Sequence, residues 1–142
     1  MILKRTSLFL AVATAALLAG AASAAPAASH AALLIQHQVH GCHAWSVNGG
    51  ALKAKQSITL HRGGFLTLRN NDVMPHTLVL TSGPKLAIAH ATLGKVGASL
   101  KVTFTKPGVY HFITKAGEDY PRMSGMKTIG EDNVLRLTVV VS

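Results

Sequence analysis

Three short segments gather the side chains able to do chemistry in this chain. The first, Val39-His40-Gly41-Cys42-His43-Ala44-Trp45, sets the single thiol beside one imidazole and two positions after another. The second, Asn70-Asn71-Asp72-Val73-Met74-Pro75-His76, ends on a histidine held by a proline just ahead of a strand-like run. The third, Gly117-Glu118-Asp119-Tyr120-Pro121-Arg122-Met123-Ser124-Gly125-Met126, carries two thioethers in a loop before the last strand. Thiolate, imidazole and thioether are the soft-to-borderline donors that suit copper, as Cu(I) or as thiolate-bound Cu(II). On a strand His40 and Cys42 share a face and His43 points the other way, a constraint that a strand end or bulge relaxes.

Other chemistries find no support. There is no Gly-rich phosphate loop, no zinc-type cysteine pair and no His-Glu-x-x-His. Glu118-Asp119 and Glu131-Asp132 are adjacent acids in loops, which read as exposed turn residues before they read as a catalytic pair. Cys42 and His43 are neighbours in sequence, which fits poorly with a nucleophile and base that converge in space. The chain has 14 Lys+Arg against 5 Asp+Glu and a formal charge of +9. Its lysines are spread singly, with no basic run interleaved with aromatics, so the charge describes a solvated surface and excludes a nucleic-acid motif. No enzyme activity is expected.

These side chains must be positioned by strands. The 142 residues allow one ordinary domain. The start has a basic n-region at Lys4-Arg5, an apolar run over 8–19 and the small-x-small site Ala22-Ser23-Ala24, the layout of a signal peptide. The expectation is therefore a signal peptide over 1–24, a low-complexity lead-in over 25–36 in which Leu33-Leu34-Ile35 is a candidate start of the first strand, and one domain over 37–142, with a secreted or periplasmic destination and no transmembrane segment in the mature chain. An exported chain with one cysteine cannot form an internal disulfide, which leaves Cys42 as a free thiol, an intermolecular crosslink or a metal ligand. Polar-apolar alternation marks strands at 57–61, 65–69, 77–81, 99–105, 109–114 and 133–141, with Arg62-Gly63-Gly64, Asn70-Asn71-Asp72, Ser82-Gly83-Pro84 and Lys106-Pro107-Gly108 as punctuation. Residues 85–98 have no strong period and suit a short helix or a loop. Short strands at intervals of about ten residues predict an all-β sandwich of seven or eight strands.

Over residues 56–141 the chain resembles the cupredoxins, small exported copper proteins with a Greek-key β-sandwich, such as plastocyanin and azurin. The resemblance rests on Asn70-Asn71-Asp72-x-x-Pro75-His76, on Pro107-Gly108-Val109-Tyr110-His111-Phe112, and on Gly125-Met126 before a Val-rich final strand. It implies that His76 is the first copper ligand and that Met126 is the methionine ligand. The family's loop cysteine has no counterpart, because Thr114 stands two residues after Phe112, and no histidine follows His111. Either the fold has lost its metal, or the missing thiolate and imidazole come from elsewhere, and the one segment with a thiol, Cys42-His43, has an imidazole beside it. The expected site is a relocated one of Cys42, His43, His76 and Met126, with His40 and Met123 as substitutes.

Bland alternatives stand beside each residue. Cys42 suits a small buried hydrophobe, His76 a loop histidine held by Pro75, Met126 a core filler, and His111 a satisfied sheet residue. His30, His37, His61 and His90 lack a soft neighbour in sequence and read as surface or secondary. Trp45 reads as a core plug or a shield against water. The resulting expectation is a copper-binding protein for electron transfer or copper handling, with a redox or copper-transfer protein as partner. Its rivals are a metal-free extracytoplasmic interaction module, with Cys42 in an intermolecular disulfide, and an accessory domain whose basic surface docks it to a membrane oxidase or metal importer.

Overall fold

The computed structural model describes residues 27–38, 42–88, 91–116 and 134–142. The segment 1–24, His40, His90, Met123 and Met126 lie outside them. The described chain is all-β, with eight strands: β1 (Ala28–Gln38), β2 (Cys42–Val47), β3 (Lys55–Asn71), β4 (His76–Ser82), β5 (Thr92–Leu93), β6 (Ser99–Thr103), β7 (Gly108–Ala116) and β8 (Leu135–Val141). Among the described residues there is no helix, so none long and apolar enough to cross a membrane. The stretch 85–98, open between helix and loop in the sequence, is loop around the two-residue β5 where it is described.

One strand joins two layers. Residues 55–60 of β3 pair in parallel with β8, while residues 65–71 pair in parallel with β1 and antiparallel with β6. The first layer is thus β2, β1, the second half of β3, and β6; the second is the first half of β3, β8, β7, β4 and β5. Sequence alone predicts two strands interrupted at Arg62-Gly63-Gly64, and the structure corrects this to one strand that turns a corner there. The β1–β3 register jumps at the same place, from Ala28↔Leu60 to His30↔Phe65. Gly64 makes the corner possible: a Cβ on it would lie 2.8 Å from the His61 carbonyl oxygen and 3.0 Å from that of Ser29. Phe104 closes the corner by exchanging backbone hydrogen bonds with Gly63 and Gly64.

The layers meet over one core. Leu33, Ile35, Trp45, Leu66 and Leu68 from the first pack against Leu60, Leu78, Tyr110, Phe112, Leu137 and Val139 from the second. Phe104 reaches across to Tyr110 and Phe112, with ring centroids 5.0 and 6.2 Å apart. Alternation produces this arrangement, as in β6, where Leu100 and Val102 turn inward and Ser99, Lys101 and Thr103 outward. Within the segment 25–36, β1 begins at Ala28, ahead of the candidate start at Leu33, because Ala31, Leu33 and Ile35 alternate into the core and pair along β3, the last two also along β2. Trp45 is fully buried there, as a core plug.

Candidate metal centre

The topology gathers the chemistry at one end of the sandwich. Gln38, at the end of β1, pairs with Cys42, at the start of β2. Gln36 pairs with Asn71, at the end of β3, and His76, at the start of β4, pairs with Ala116, at the end of β7. Thr114 pairs with Leu135, where β8 begins. Residues 37, 43, 72 and 76 therefore share this end, and the connection holding Met123 and Met126 departs from it and returns to it.

A tight polar turn prepares the site. Asn70 is fully buried; its Nδ2 donates to the carbonyls of Met74 (2.8 Å) and Leu93 (3.1 Å), and its Oδ1 accepts from the Asp72 N–H (2.9 Å). The Met74 N–H in turn donates to Asp72 Oδ1 at 3.2 Å. Asn and Asp are the residues that bond their own backbone two positions on, which is why Asn70-Asn71-Asp72 makes this turn. Pro75 restricts Met74 to extended conformations, and the chain enters β4 at His76 with a fixed direction.

Asp72 is the centre of the cluster, with no exposed surface on its side chain. His43 Nδ1 donates to its Oδ2 at 2.6 Å, and His76 Nε2 donates to the same oxygen at 3.1 Å. The two imidazole rings stand perpendicular with centroids 4.8 Å apart, and both are buried. His37 flanks them, its Nδ1 3.8 Å from Asp72 Oδ1 and its ring edge-on to His43 at 6.3 Å. Burial pushes the Asp72 carboxyl up, but the hydrogen bonds from His43, His76 and the Met74 N–H outweigh it and hold the group well below the usual carboxylate range. Asp72 is thus an acceptor only, and both ring nitrogens that face it carry their protons. In its neutral form the His76 ring then has its lone pair on Nδ1, a buried atom with no hydrogen-bond partner among the described residues.

His37, His43 and Asp72 also hold donor atoms within 4.8 Å of one another. The Asp72 oxygens, however, already accept from two rings and a backbone N–H, so the carboxylate serves to fix imidazole tautomers. That is the usual part of a carboxylate behind a metal-bound histidine.

Of the residues singled out in the sequence, the structure brings His43 and His76 together. Cys42 is the first residue of β2, directly before His43, and its side chain is not among those described. Met126 and the substitutes Met123 and His40 lie outside the described residues. His37, read from the sequence as surface or secondary, instead lines the cluster at 24% side-chain exposure. Asp72 was legible only as a turn residue. His111 is an exposed residue of β7 whose Nδ1 lies 3.2 Å from Thr138 Oγ1, in keeping with a sheet role.

No protein-family model matches the chain, and no curated protein matches it in sequence. Solved structures to which the chain is similar include the purple cupredoxin of Nitrosopumilus maritimus, with a TM-score of 0.46 and 19% identity over 79% of this chain and 99% of that one. A reduced amicyanin variant scores 0.39 at 20% identity, over 78% of this chain and 82% of its own. A variant of the McoA multicopper oxidase from the hyperthermophile Aquifex aeolicus scores 0.48 at 10% identity, over 80% of this chain and 26% of its own. All three scores fall below 0.5, so what this chain binds has to be read from its own side chains.

Proposed function

We propose that this chain is an exported copper-binding protein, acting in electron transfer or copper handling and without catalytic activity of its own. His76 Nδ1 carries the proposal. A buried imidazole lone pair with no described hydrogen-bond partner, on a ring locked through its other nitrogen to a carboxylate, is oriented for a metal. His43, anchored to the same Asp72 oxygen, supplies the second imidazole, Cys42 beside it the thiolate, and Met126 the thioether. The strand ends support this set, because the Met-bearing connection leaves from Ala116, the register partner of His76. Two imidazoles with a thiolate and a weak thioether form the donor set of copper sites that pass single electrons, and copper supplies that one-electron chemistry when bound. The chain's own part is rigidity: Asp72 fixes both rings, and Trp45, on the same strand as His43, fills the core beneath.

The test is copper titration of the purified protein. Cu(II) is expected to give an intense thiolate charge-transfer band in the visible, lost in Cys42→Ser and in His76→Ala. Absence of that band together with absence of tight Cu(I) binding refutes the proposal and leaves a metal-free interaction module.

A further inference from the structure

Beside the end that holds His43 and His76, the outer face of the second layer has a groove of about 430 Å³, lined among others by Lys55, Gln56, Ser82, His111, Arg136 and Thr138. The sheet register builds it. Lys55 and Arg136 are direct partners on the parallel strands β3 and β8, and His111 pairs with Thr138 on one side and Ser82 on the other. Lys55, Ser82, His111 and Arg136 are all exposed. Two like charges directly opposite on neighbouring strands are destabilising unless something offsets them.

Nothing described does. Among the described residues Asp72 is the single side-chain carboxylate, and it is buried within the histidine cluster with its oxygens taken by His43, His76 and Met74. Every lysine and arginine whose side chain is described is exposed. Neither Lys55 nor Arg136 donates a side-chain hydrogen bond to a described residue, whereas Gln56 is committed to the carbonyls of Trp45 and Ala51. The groove therefore offers two cations with no partner among the described residues, an imidazole and a serine hydroxyl on a four-strand surface.

We propose that this groove is a docking site for a carboxylate-rich segment of a partner protein. An extended acidic segment laid over the strands would place its carboxylates against Lys55 and Arg136 and accept from Ser82. The uniformly cationic described surface would steer it in at low ionic strength. His111 lies five residues along β7 from Ala116, about 17 Å at the usual rise per residue. A partner bound here sits beside the metal end and leaves it uncovered.

The experiment is calorimetric titration of the full-length protein with hexaglutamate at low and at physiological salt. Binding is expected at low salt and should weaken steeply at about 0.15 M. Lys55→Gln/Arg136→Gln should weaken it about tenfold with the melting temperature unchanged or raised. Lys95→Gln/Lys106→Gln, which removes the same charge elsewhere, should weaken it less than about twofold. Equal losses in the two double variants, or no binding at low salt, overturn the proposal. Inorganic phosphate binding the groove as tightly as the peptide also overturns it, by assigning the groove to a small oxyanion.

Discussion

Replacing Asp72 with asparagine tests the logic of the site most directly. The change keeps the shape of the side chain and swaps an acceptor-only group for one with an NH₂ donor. Asp72 Oδ2 now receives two N–H bonds, from His43 at 2.6 Å and His76 at 3.1 Å, and has no access to water. Hydrogen bonds to a charged partner contribute about 1.5–3 kcal/mol each and neutral ones about 0.5–1.5, so an amide oxygen in place of Oδ2 costs at least about 2 kcal/mol, and an NH₂ there up to about 6 kcal/mol. In a chain of this size that lowers the melting temperature by at least about 5 °C. The sign of the pH dependence follows from the depressed carboxyl. A folded-state pKa below the unfolded one stabilises the protein above the unfolded value of about 4, and that stability is lost as pH falls through the folded value. The gap between wild type and Asp72→Asn is therefore expected to be full at pH 7 and to narrow progressively below about pH 4. Thermal unfolding by circular dichroism across pH 2–7 measures it. A variant that melts within about 2 °C of wild type at pH 7, or a gap that widens in acid, would refute the assignment of Asp72 as the shared acceptor.

Two further changes probe the scaffold. Gly64→Ala puts a methyl group 2.8 Å from the His61 carbonyl oxygen and 3.0 Å from that of Ser29, both backbone atoms with little freedom to yield. Overpacking of this kind costs about 1–3 kcal/mol, seen as a lower urea midpoint; an unchanged midpoint would mean that the β3 corner is soft. Phe104→Ala removes the fully buried ring that meets both Tyr110 and Phe112, at an expected cost of about 3–5 kcal/mol in the same assay, and a loss under about 1 kcal/mol would contradict its place between the layers.

The strands were legible wherever one face is buried. Ser99–Thr103 and the first half of Leu135–Val141 alternate because one face of each turns to the core, and period-2 patterning records that directly. Two features escaped for the same kind of reason. Arg62-Gly63-Gly64 reads as a stop, since glycine clusters ordinarily bound strands in a sequence, yet here it lets one strand serve two layers. The Ala-rich stretch before residue 37 reads as a tether, because small residues signal low burial. Ala31 is nonetheless buried beside Leu33 and Ile35, which a small side chain permits where two strands flank it closely.

The site was half legible, and the division follows sequence distance. His76 is marked by its local turn and His43 by the thiol beside it, both signals within a few residues. Asp72 lies in the same turn as His76, but its meaning depends on His43, 29 residues away, and on burial that no local pattern encodes. An aspartate in an Asn-Asn-Asp cluster is ordinarily a solvated turn residue, and only a buried imidazole donating to it changes that. His37 is hidden for the same reason, since its approach to Asp72 comes from the parallel pairing of β1 with β3. What holds His43 and His76 as a pair is therefore one carboxylate oxygen that accepts from both rings. Because both rings lean on one oxygen, losing Asp72 should disorder them together, and the effects of replacing either histidine should not add.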